Sequence, residues 1–507
     1  MKTFFKTVAF VTVFSVCEKF LGFMYRIFLS HTIGAEGVGM YQVALSVFGL
    51  FYTIACSGIP ITVSRLMTKY RAENDIVKSQ KVITAGFFVT LIFAIPLCLI
   101  FYIFSDAFNF LFSDPRCKTV FMVILPGLAF TCVYSVIRGV FWGNKRFMQY
   151  SIIELLEEAI MIILGIILIS FATSPYSGAI RAGLAVLLSY LFSFTASTIV
   201  FFVQKNKLKN PKTEIKPLLA SAMPITAMRT ANTLTVSLVS IILPLRLIAA
   251  GFTNSEAISL YGSAIGQAFP LLSVPGTAVS AFTLVLLPEI SEFYYKKDHL
   301  SLRNTIEKAL KITVFISCVF IPVFFVLGEE IGIIIFGNAE SGKYLSVSAF
   351  LMLFMGISNM TTSILNSMGM EHKTLVFFAI SGVLMIASIW FLPSVMGIYA
   401  LLVGFGFVFG VSAVCNLILL NGACPRKPRC VKFILLSTLC TLPSILFGNL
   451  LKSLVINFLG TTLTFLLVGT LQFAFTFLFM MGLGVTEFNS IKKTFISFIK
   501  RKKTIKA

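Results

Sequence analysis

LLASAMPITAMRTANTLTVSLVSIILPLR, residues 218–246, is apolar for longer than a bilayer is thick and carries one charge, Arg229, before Arg246 closes it. A hydrocarbon core of about 30 Å takes about 20 helical residues at 1.5 Å each. Arg229 lies about 11 residues in, roughly 17 Å deep at that rise. Thr226, Thr230, Asn232 and Thr233 make one side of the same helix polar. Charge at that depth is expensive, and where a sequence keeps it, it marks a transport route. A cation there selects an anionic cargo, so Arg229 is read as a substrate-binding residue.

About fourteen stretches long enough to span a bilayer run along the chain. Of its 507 residues, 57% are hydrophobic and 12% are charged, against about a quarter charged in a soluble protein. The mean hydropathy of +0.95 agrees, and 54 phenylalanines against 2 tryptophans fit a lipid-facing exterior. The fold class expected is an all-α polytopic membrane protein with about fourteen transmembrane helices. The formal charge of +21 does not indicate nucleic acid. With both termini cytoplasmic, most basic residues fall in cytoplasmic segments, as the positive-inside rule requires. The tail IKKTFISFIKRKKTIKA (491–507) is expected to lie on anionic lipids.

MKTFFKTVAF at 1–10 lacks a small-residue cleavage site downstream and is read as a retained first span. Ten cysteines are scattered, and CPRKPRC (424–430) has no zinc-site spacing. No metal site is expected. Neither a GxxxxGK[ST] loop nor a catalytic cluster is present, so catalytic residues and an ATP motor are not expected either. Membrane potential, H+ or Na+ would then drive transport.

The chain repeats itself weakly. Tyr41 in GMYQVALSVFGLFYTIACSGIP matches Tyr261 in SLYGSAIGQAFPLLSVPG, and Gly143 in RGVFWGNKRF matches Gly369 in ILNSMGMEHK. Repeats of this kind characterise secondary transporters. Six spans per repeat give lobes at 1–203 and 218–420, a basic linker at 204–217, two further helices at 421–484 and a basic tail at 485–507. Gln267–Gly276, with two prolines, reads as a functional bend, making Gln267 a gating candidate.

Span one holds Glu18, Lys19 and Arg26. Lys19 and Arg26 are seven apart, within about 20° on one helix face. Both are taken as substrate-binding, and Glu18 as a coupling carboxylate beside them. Glu154, Glu157 and Glu158 in SIIELLEEAIMI read as macrodipole partners at a helix start, with Glu158 a coupling candidate. Arg138, Lys145 and Arg146 read as loop cations.

KFLGFMYRIFLSHTIGAEGVGMYQVALSVFGLFYTIACSGIPITVSRL (19–66) resembles the N-terminal signature of the stage V sporulation protein B group of polysaccharide exporters. The group is part of the multidrug/oligosaccharidyl-lipid/polysaccharide exporter superfamily, which includes the lipid II flippases. The resemblance implies a monomeric, V-shaped transporter in the bacterial cytoplasmic membrane, with two lobes around a cleft. It also implies a polyprenyl-pyrophosphate-linked saccharide as cargo, such as a peptidoglycan precursor for the spore cortex. Arg26 and Arg229 fall where lipid II flippases carry required cavity arginines. Two departures stand out: glutamates at 154, 157 and 158 replace a glutamine-rich motif, and His31 replaces a more typical arginine. The alternatives are a cation-coupled multidrug antiporter, which needs a cavity carboxylate, and a non-transporting scaffold for wall-synthesis enzymes.

Overall fold

The computed structural model describes residues 2–204, 207–428 and 431–482, so the tail read as a lipid anchor lies outside the described residues. The described residues form helices and no strand. Their contacts divide into two compact units, one running through Ile248 with Phe252–Gly262, the other from Ser263 with Ala249–Gly251.

The first unit holds α1 (Lys2–Cys56), α2 (Ile59–Ala72), α3 (Ile76–Ile103), α4 (Pro115–Ile124), α5 (Gly127–Gly143), α6 (Phe147–Ile169), α7 (Pro175–Val203), α8 (Ile215–Ala249) and α9 (Asn254–Tyr261). Helix starts follow local chemistry. The Asp75 side chain accepts from the Lys78 N–H at 2.8 Å, and Ser174 and Ser177 cap each other's backbone ahead of α7, with Pro175 at its first position. α1 is two helices joined at Gly34, whose φ of 67° a residue with a Cβ rarely adopts. Arg229 sits on α8, which the repeat assigns to the second lobe and which here packs within the first unit.

Small residues set the helix spacing in this unit. A Cβ at Gly139 on α5 would stand 2.6 Å from the Pro60 carbonyl oxygen on α2. Gly139→Val is therefore expected to lower stability by about 1–3 kcal/mol, the usual cost of overpacking, read as a lower unfolding temperature in detergent.

The second unit holds α10 (Phe269–Tyr295), α11 (His299–Phe336), α12 (Ala339–Ser348), α13 (Leu351–Ser367), α14 (Glu371–Phe391), α15 (Pro393–Met396), α16 (Ala400–Phe405), α17 (Ser412–Ala423) and α18 (Val431–Gly482). A π-helical segment, Gly262–Ala268, precedes α10. α18 bends at Gly460, with φ 65°. Its two arms hold α11 through polar contacts. Lys452 Nζ lies 2.6 Å from Glu330 Oε1 and donates to the Val326 carbonyl at 3.0 Å. Gln472 Nε2 donates to the carbonyls of Pro322 and Ser444, each at 3.1 Å.

Among the described residues, ten helices are long and apolar enough to span a membrane, or up to twelve if each bent pair is one span. The expected fourteen differ for physical reasons. The first two spans fall in one apolar run, Val13–Ala72, and α6 carries three glutamates. Spans four and ten are each broken: α4 meets α5 at 45°, and α12 meets α13 at 60°. Both breaks recur at one spacing, Pro115 to Ala339 and Gly127 to Leu351, 224 residues in each case (339 − 115 and 351 − 127).

Candidate functional site

Charged side chains of the first unit gather where α1 meets α6. Glu18, Gly22 and Arg26 repeat every four residues, so they share a face of α1. A Cβ at Gly22 would touch Glu158 Oε1 at 2.9 Å, so the missing side chain makes room for the Glu158 carboxylate between Glu18 and Arg26. Glu18 and Arg26 both lie close enough to Glu158 for their charges to act on its carboxylate. Glu18, Arg26 and Glu158 are thus brought together. Lys19, next to Glu18, points its side chain to an exposed position.

The other two glutamates of α6 are differently engaged. Glu154 Oε1 lies 3.4 Å from Arg138 Nη1. Arg138 also donates to the Tyr52 hydroxyl at 3.0 Å, and its guanidinium lies 5.4 Å from the centre of the Trp142 ring, within cation–π range. Glu157 Oε2 is buried with no hydrogen-bond partner among the described residues. Two readings of the sequence are corrected here. Arg138 is no loop cation: α5 continues to Gly143, so its side chain turns inward and pairs with Glu154. The three glutamates do not cap a helix start either. α6 begins at Phe147 with Arg146 as its N-cap and no acid in its first turn, so Glu154, Glu157 and Glu158 stand two to three turns in.

Arg229 stands apart from this group. Thr226 Oγ1 accepts from the Gly58 N–H at 3.1 Å, Thr53 Oγ1 bonds Thr233 Oγ1 at 3.3 Å, and Ser237 Oγ donates to the Ser46 carbonyl at 2.8 Å. These bonds tie the polar side of α8 to the second half of α1 and to Gly58 just beyond its end. Arg229 lies within that stripe yet is exposed. Its Nη1 reaches the Ser57 carbonyl only at 3.4 Å, longer than an ordinary N–H···O bond. Among the described residues the guanidinium leaves most of its five donors uncommitted.

Gln267 belongs to the second unit. It is buried in the π-helical segment, where its carboxamide oxygen accepts from Asn338 Nδ2 at 2.8 Å. Asn338 also donates to Ser263 at 2.8 Å and caps α12. Sequence reading missed the Arg138–Glu154–Tyr52 network. The one available signal was a separation of 16 positions that places Arg138 and Glu154 on consecutive helices.

The family described as "Polysaccharide biosynthesis protein" matches residues 4–294, more than half of the chain. The chain belongs to that family. The span-one motif that carried the resemblance lies inside the matched residues. Stage V sporulation protein B of Bacillus subtilis (strain 168) is 24% identical over 368 residues, covering 70% of this chain and 71% of that protein. Lipid II flippase MurJ of the same organism is 23% identical over 333 residues, covering 60% and 61%. Among solved structures, a lipid II flippase MurJ in an inward closed conformation matches with TM-score 0.72 and 15% identity, over 93% of this chain and 99% of that one. An inward-facing multidrug resistance MATE family transporter of the MOP superfamily matches with TM-score 0.66 and 14% identity, over 79% and 92%. The fold is that of these multi-pass membrane transporters, and this family member is a multi-pass membrane protein.

Proposed function

We propose that this polysaccharide biosynthesis family member is a flippase for a polyprenyl-pyrophosphate-linked saccharide, a peptidoglycan precursor of the lipid II type, with spore cortex synthesis as its setting. The observation that carries the reading is Arg229, an exposed guanidinium in the middle of an apolar helix with one long hydrogen bond. A pyrophosphate is anionic and planar-forked donors suit its oxygens. Arg26 and Lys19 add positive charge on α1. The relatives named for sporulation and for lipid II flipping support the cargo class.

The mechanism proposed is alternating access by the repeat lobes 1–203 and 218–420, with the lipid tail left in the bilayer while the headgroup crosses. Gln267, in the π-helical segment before Pro270, is the hinge of the second repeat. Glu158, between Glu18 and Arg26, carries the coupling with Glu18: protonation of Glu158 would release Arg26 to the cargo, and ionisation would take it back. Glu158→Gln is then expected to keep basal flipping in liposomes while losing its response to an imposed pH gradient. An unchanged response in that variant would remove Glu158 from the mechanism.

The same assay tests the cargo. Arg26→Ala and Lys19→Ala should slow translocation of a fluorescent lipid II analogue, with little effect on scrambling of a zwitterionic phospholipid. Equal effects on both lipids would refute a pyrophosphate site.

A further inference from the structure

A cavity of about 230 Å³ lies within the second unit, between α10 and α13 with Ser317 of α11 behind it. Gly276, Val279 and Thr283 line it from α10, and Met352, Met355 and Met360 from α13. Gly276 faces the Met355 methyl, its built Cβ 3.7 Å away, and Thr283 Oγ1 lies 3.5 Å from the Met360 sulfur. The two helices therefore run side by side in the same direction along the cavity.

Its lining excludes charge. None of its described lining residues is ionisable, and the hydroxyl protons are already used. Thr283 donates to the Val279 carbonyl at 2.8 Å, Ser280 to Gly276 at 2.9 Å, Ser363 to Asn359 at 2.9 Å, and Ser317 to Met352 at 3.3 Å. Apart from the carboxamide of exposed Asn359, what faces the cavity is mainly methyl, methylene and thioether surface, and flexible methionines fit irregular apolar shapes. An apolar cavity of about 150 Å³ is already enough to hold benzene.

The shape narrows the choice. Lining residues run from Leu272 to Leu287 on α10 and from Met352 to Ser363 on α13, roughly 22 and 16 Å at 1.5 Å per residue. Spread over such a length, this volume is a slot one chain wide. We propose that the α10–α13 slot binds a single uncharged hydrocarbon chain lying along the helices. The inference stands independently of the cargo proposed above, because two lipids can supply that chain: a polyprenyl carrier or a bilayer phospholipid.

Two photoactivatable probes separate the sources, a diazirine polyprenyl phosphate and a diazirine-acyl phospholipid, each added to the full chain in liposomes, with labelled peptides mapped by mass spectrometry. Labelling within 272–287 and 352–363 is expected from at least one of them. Polyprenyl labelling alone would assign the slot to the carrier tail, and acyl labelling to a bound bilayer lipid. Gly276→Leu fills the slot, and each displaced methylene weakens binding about fourfold, so labelling should fall by about tenfold or more. Gly276→Ala, whose added methyl meets only an ordinary contact, should keep it. Ser363→Leu, at the half-buried rim, repeats the test if Gly276→Leu does not fold. No labelling of these segments by either probe, or labelling unchanged in both filled variants, overturns the proposal.

Discussion

Arg229→Ala is expected to lower lipid II analogue flipping by about 10- to 150-fold, the factor that corresponds to losing about 1.5–3 kcal/mol of hydrogen bonding to a charged group. The loss should be of transport and not of folding. Arg229 is exposed, and its bond to the Ser57 carbonyl is long at 3.4 Å, so its removal should change stability by no more than about 0.5 kcal/mol. α8 stays seated through Thr226, bonded to Gly58, and through Thr233 and Ser237, bonded to the first helix, none of which involves the arginine. Arg229→Lys keeps the charge and loses the planar fork, so it should fall between wild type and alanine. Flipping rates per reconstituted molecule, with unfolding temperatures measured in parallel, check both halves of this expectation. A large drop in unfolding temperature for Arg229→Ala would make the residue a structural one.

The largest effect on stability is expected at Lys452. Its partner Glu330 has a side chain only 6% exposed, against 24% for Lys452, and Glu330 Oε2 is buried without a hydrogen-bond partner among the described residues. Lys452→Met would leave that carboxylate uncompensated, at a cost of about 3–5 kcal/mol. Combining it with Glu330→Leu removes the buried charge as well, so the double variant should recover most of the loss and approach wild type. Gln472, bonded to the Pro322 and Ser444 carbonyls, keeps the arms of α18 on α11 in either background. Thermal unfolding of the three variants in one detergent gives the coupling directly. Additive losses would mean that the two charges do not act as a pair.

Much of the fold was legible because hydropathy reports on burial in lipid residue by residue. Among the described residues the expected apolar stretches fall on helices, with spans two, four and ten each crossing a break between two of them, and the family signature in span one was present as plain sequence. The backbone breaks were less legible. Pro126 and Gly127 gave some warning of the 45° bend between α4 and α5, but nothing in VSAFLMLF (347–354) announces the 60° bend between α12 and α13. That bend shows only when the 224-residue spacing is seen in the structure. At the charged group, periodicity placed Lys19 and Arg26 on one face but said nothing of the partner helix. Gly22 is the clearest case: in sequence it is an ordinary glycine in LGF, and in the structure it is the space occupied by the Glu158 carboxylate. Pairings between helices, such as Arg138 with Glu154 or Lys452 with Glu330, depend on packing angles that a one-dimensional pattern does not encode.

Carriage of an anionic, lipid-linked saccharide across a bilayer can be read as the rate at which a fluorescent lipid II analogue becomes accessible to a membrane-impermeant quencher in liposomes, with and without the reconstituted protein. Translocation should require the protein and be competed by unlabelled polyprenyl-pyrophosphate-linked saccharide. Rates equal to protein-free liposomes, from protein shown to be folded and inserted, would contradict it.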